Sequence, residues 1–118
     1  MAWQTPKTNW RVRRDNIGLY IGDYFSCADY NRIKNNMVYL HEQIPHAIDL
    51  GADKTETDMP YASEFNAIEQ ALEYLRVHVI DLDIGSPMEF FQNGRAITVD
   101  ELNRIESAQQ KYYQYFNG

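Results

Sequence analysis

The chain has 118 residues, a net charge of −6 and one cysteine; it fits one domain that buries about two-thirds of the surface its unfolded form would expose, without a metal or disulfide staple. Residues 1–14 hold Lys7, Arg11, Arg13 and Arg14 and no acid, +4, which leaves −10 for the remainder. Such an acidic body excludes a typical duplex-DNA ligand, because that affinity comes from many Lys and Arg neutralising phosphates.

The start, Met1 to Pro6, lacks an apolar run of signal-peptide length, and no later stretch approaches the roughly 20 apolar residues that cross a bilayer. A soluble product with neither nucleic acid nor membrane as partner is expected. Residues 1–25 read as an extended N-terminal arm, with Trp3, Trp10, Ile17, Leu19, Tyr20, Ile21 and Tyr24 spread among polar residues. The run Leu19-Tyr20-Ile21 has the composition of a short strand. Residues 26–118 read as a helical domain.

Its first helix is predicted to start at Ser26, with Asp29 three residues on to complete a capping box, and to run to about Ile44, ahead of Pro45. Residues 46–60 lack periodicity and read as a long polar loop. The second helix covers about Ala62 to Val79, with Ser63 or Asp58 as its cap. Next, Asn93-Gly94 flanked by apolar residues predicts a small β-hairpin near 88–97. The third helix is capped by Thr98, with Glu101 as box partner, and continues toward Phe116.

The three helices are copies of one unit. Asp29-Tyr30-Asn31-Arg32-Ile33 returns as Glu101-Leu102-Asn103-Arg104-Ile105, and more weakly as Glu64-Phe65-Asn66-Ala67-Ile68. Apolar residues stay in step at 30, 33, 37, 40 and 44, then 65, 68, 72, 75 and 79, then 102, 105, 112 and 116, with Gln109 the one break. Steps of three and four place them on one helical stripe, so the copies should bury their stripes against each other. The fold class is therefore mainly α: three repeat-related helices in a bundle, with a small hairpin and the N-terminal arm.

Asn31, Asn66 and Asn103 share one slot just after the first buried position. Asparagine is an indifferent helix former, so its recurrence points to a structural hydrogen bond with a loop backbone. Arg32 and Arg104 each follow an acid by three residues and suit surface pairs. Asp81 and Asp83 are the nearest approach to paired carboxylates, but their spacing equally suits a helix end or turn. His41, His46 and His78 lack zinc-site spacing and read as satisfied or exposed. A phosphate loop, a nucleophile elbow and a Cys-x-x-Cys pair are all missing from the sequence. No catalytic, metal or cofactor site is expected.

The aromatic C-terminus, Tyr112-Tyr113-Gln114-Tyr115-Phe116, exceeds what one core stripe can use. Trp3 and Trp10 with Arg11, Arg13 and Arg14, together with Tyr113 and Tyr115, are the expected interaction residues, the basic arm docking on acidic protein surface. Thr5-Pro6-Lys7-Thr8-Asn9-Trp10, then Gly22-Asp23-Tyr24-Phe25-Ser26 and Asp29-Tyr30-Asn31-Arg32-Ile33-Lys34-Asn35-Asn36, resemble small structural proteins of tailed phages and prophages of Gram-positive bacteria. This resemblance covers roughly the first 40 residues and recurs in the third helix. It departs by the insertion of Arg11 to Ile21 and by lacking a large receptor-binding region. What it implies is a non-enzymatic virion component, assembled in the bacterial cytoplasm, that self-associates and docks on other virion proteins. The alternative is a carbohydrate-binding module that meets a host glycan through exposed aromatics.

Overall fold

Three helices carry the fold: α1 (Cys27–Glu42), α2 (Ala62–His78) and α3 (Val99–Asn117). The computed structural model describes residues 3–10, 12–14, 20–22, 26–44, 46–55, 62–85 and 99–118. The hairpin expected near 88–97, Arg11 and the Thr98 cap lie outside them. Ahead of α1, β1 (Val12–Arg14) pairs antiparallel with β2 (Tyr20–Gly22), Val12 opposite Gly22 and Arg14 opposite Tyr20.

α1 begins where its capping box requires. The Asp29 amide donates to Ser26 Oγ at 3.3 Å and the Ser26 amide to Asp29 Oδ2 at 3.0 Å, satisfying two otherwise orphan donors. The helix ends at Glu42, two residues before the expected Ile44, because the amides of Gln43 and Ile44 turn back to the carbonyls of Leu40 and His41.

The apolar stripes meet as layers. Tyr30, Phe65 and Leu102 form one; Ile33, Ile68 and Ile105 the next; then Met37, Leu72 and Gln109; then Leu40, Leu75 and Tyr112, all of them buried. Ile44, Val79 and Phe116 close the stack half-buried. Gln109, the break in the stripe, is itself fully buried and donates Nε2 to the Ile33 carbonyl at 2.8 Å.

All three helices run in the same direction. Near the N-terminal ends the Tyr30 ring lies 5.7 Å from Phe65, and near the C-terminal ends His41 lies 5.5 Å from Tyr74. Likewise Arg32 meets Glu106 and Tyr39 approaches Tyr113. Contacts that climb together on both members of a pair require parallel helices. Parallel helices cannot be joined by tight turns: the chain must return along about 25 Å of helix, which takes about eight extended residues. The stretch read as a long polar loop does this over residues 46–55, with Ile48 and Leu50 packed on the core. We call such return segments straps. Residues 3–10 form the first, 46–55 the second and 80–85 belong to the third.

Candidate functional site

Straps are held by asparagine amides. Asn31 on α1 donates Nδ2 to the Lys54 carbonyl at 2.9 Å and accepts the Lys54 amide at 2.7 Å. Asn103 on α3 treats Trp10 the same way, at 2.9 and 2.7 Å, and Asn36 does so with Gln4, at 2.8 and 2.9 Å. Each side chain thus substitutes for a neighbouring β-strand, satisfying one residue's donor and acceptor together. Asn66, third in the slot, is half-buried and engaged. The order is cyclic: the strap leading into α2 is held by α1, and the strap leading toward α1 is held by α3.

Charge follows the same order. Arg32 clamps Glu106 of α3 through two 2.8 Å bonds and holds Asp29 at 2.8 Å. Glu106, fully buried, also accepts the Trp10 indole N–H at 2.6 Å and the Lys7 amide at 3.1 Å. Burial works against the Arg32 charge, but the bonds to Glu106 and Asp29 win and raise its pKa. Arg104, expected to pair with Glu101 on its own helix, instead crosses to Glu69 of α2. Its path runs over Gly85, where φ is +77° and a Cβ would sit 2.7 Å from Arg104 Cδ. In the third interface the equivalent residues are Ala67 and Lys34, and Lys34 turns to Asp53 and the Gly51 carbonyl of the second strap.

Three further clusters occupy equivalent places where straps meet the C-terminal halves of the helices. Between α3 and α1, Trp3 stacks on Tyr113 (4.3 Å, 11°) with Tyr39 alongside. Between α1 and α2, His46 stacks on Tyr74 (3.8 Å, 5°), faces His41 across 2.9 Å between their Nδ1 atoms, and His78 lies over the same tyrosine at 4.2 Å. Between α2 and α3 the corresponding groups are charged: Arg76 pairs with Glu73 and, at 3.5 Å, with Asp81, while Lys111 donates to the Asp83 carbonyl. A groove of about 620 Å³ lies there, lined by Glu73, Arg76 and residues 81–85.

Trp10 is 4% exposed and built into the core, so it is not an anchor free for a partner, and removing residues 1–14 would remove part of that core. Trp3 and Tyr113 spend their faces largely on each other. Tyr115 is half-exposed, at 50%, with Phe116 at its edge; Arg13 and Arg14 lie in β1. Asp81 is exposed beside Arg76, and Asp83 contributes its backbone carbonyl. The three histidines converge although no spacing announced it; aligning the repeats puts position 41 of one helix beside position 74 of the next, and that was the available signal. Asn36 and Glu106 carried no such signal.

Among the described residues no group of three or more His, Cys, Asp or Glu side chains is placed to hold a metal ion, and no helix is long and apolar enough to cross a membrane. Comparison with family models, curated proteins and solved structures finds no match.

Proposed function

We propose that this chain is a non-enzymatic structural or adaptor component of a phage or prophage tail or related particle, acting by self-association and by docking to neighbouring particle proteins. The observation that supports it is where the phage-like signature falls. Asp29, Asn31 and Arg32, with Asn103 and Arg104 of α3, are joints between strap and helix or helix and helix. A signature spent on architecture suits a part that must hold its shape inside an assembly. Val77 and Tyr115, the large apolar side chains left exposed among the described residues, lie in the last turns of parallel helices and offer a docking end.

Analytical ultracentrifugation across a wide concentration range, with pull-downs against products of neighbouring genes, tests this reading. A chain that stays monomeric and captures no particle protein would overturn it. Tyr115, half-exposed near the end of α3, favours the second reading, a carbohydrate-binding module, since an exposed aromatic ring suits the face of a sugar. A glycan array separates the two.

A further inference from the structure

The second strap is fastened at two ends by different chemistry. Near residue 54 it is held by the Asn31 amide, by Lys34 on Asp53 and by Lys54 on Glu64. At the other end the His46 amide donates to the His41 carbonyl at 3.1 Å and the two imidazoles face each other. His41 Nε2 lies 2.9 Å from the Ala71 carbonyl, which can only accept, so Nε2 carries a proton. In neutral His41 the Nδ1 atom is then a bare acceptor, and His46 Nδ1–H donates to it.

We propose that the His41–His46 pair is a proton-operated latch on the second strap, closed while one proton lies between the facing Nδ1 atoms and open when both rings are fully protonated. Protonating His46 at Nε2 leaves its Nδ1–H in place and the latch closed. Protonating His41 at Nδ1 sets two N–H groups and two positive charges face to face at 2.9 Å, and the contact is lost. Burial holds His41 below the ordinary histidine range, and the neighbouring His46 acts in the same direction, against the bond to Ala71. The latch therefore stays shut through neutral pH and opens only in acid, below the ordinary histidine range.

The surroundings set which end yields. Facing the pair are Tyr74 of α2, with His78 over the same ring, and no carboxylate contact to either imidazole is present among the described residues. Asp49 on the strap is occupied by the Gly51 amide. At the far end, bonds from Lys34 and then Asn35 keep Asp53 below the usual carboxylate range, so those ties outlast the latch. Acid thus frees the strap at His46 while Lys54 stays fixed, uncovering the core under Ile48 and Leu50.

Amide exchange of the full chain, measured by NMR at about pH 7 and about pH 5 and corrected for intrinsic rates, reads both ends. Protection at the His46 amide should fall about tenfold in acid, the scale of one lost hydrogen bond, while the Lys54 amide and the helices hold theirs. In His46→Gln the amide can accept from protonated His41 or donate to neutral His41, so the acid effect at position 46 should vanish. Equal protection of His46 at both pH values, joint loss at Lys54 and the helices, or a persistent acid effect in His46→Gln would each overturn the latch. Should that variant not fold, ¹⁵N shifts of the wild-type imidazoles decide: opening must track protonation of His41 Nδ1, and opening without it refutes the proposal.

Discussion

The two grooves flanking α1 are built from equivalent helix positions and closed in opposite ways. Toward α3, the helices grip each other directly through Arg32 and buried Glu106, and the first strap lies over that pair with its Trp10 indole bonded to the same carboxylate. Toward α2, the equivalent pair is Lys34 and Ala67, which cannot form an ion pair, and the strap itself supplies the partner, Asp53. In one groove the strap covers a finished contact; in the other it completes an unfinished one. Helix positions that match in sequence are free to differ in this way, because each meets different neighbours within the one chain.

The comparison is broken most severely at Glu106. Glu106→Ala leaves Arg32 and the Trp10 indole without their acceptor and should cost about 3–5 kcal/mol by denaturant unfolding. Lys34→Met in the other groove should cost about 1 kcal/mol or less, since Asp53 is exposed. Equal losses would mean that the grooves are energetically alike after all.

Ile33→Ala and Ile105→Ala address what the grooves share. Both residues are about 1% exposed in the same layer, and each truncation should cost about 2–5 kcal/mol; a change under about 0.5 kcal/mol at both would deny a common core. One step smaller, Asn31→Leu and Asn103→Leu each strip a strap residue of its donor and acceptor partner and should lose about 1–3 kcal/mol in thermal melts. Asn66→Leu should match them if the cyclic order extends to all three units.

The smallest effect lies at the start of α1. Burial raises the Asp29 carboxyl pKa, but bonds from the Ser26 amide and from Arg32 outweigh it and hold the group below its ordinary value. The stability it contributes is therefore fully present above about pH 4 and is lost as pH falls through the lower folded value. Following the unfolding midpoint of Asp29→Asn in acid should show that part of the slope removed, and Ser26→Ala should cost about 0.5–2 kcal/mol at neutral pH.

The helices and their buried stripes were legible because a 3.6-residue period and an end cap are local properties, and the repeat doubled the signal. Ser26 with Asp29, and the apolar layers from Tyr30 to Leu40, needed no knowledge of the rest of the chain. Direction was not legible: the pattern of residues 46–60 is polar and aperiodic whether the chain turns tightly, wanders or returns along a helix. The same blindness covered Glu106 and Arg104, whose partners lie on other helices. The asparagine slot is legible only through its recurrence, and Asn36, which performs the same task once, has no counterpart to mark it.

The strap joints differ in how much chain they enclose. Asn31 and Lys54 are 23 residues apart, whereas Asn103 and Trp10 are 93 apart and close the ring of units. Loop-closure entropy makes that last joint about 1 kcal/mol more costly than the first. The Asn31 joint zips up early, and the closing seam waits for the third helix, which slows folding relative to helical bundles joined by short turns. Until it shuts, the open seam of one molecule presents α3 to the leading segment of another, so concentrated refolding is where exchanged dimers would arise.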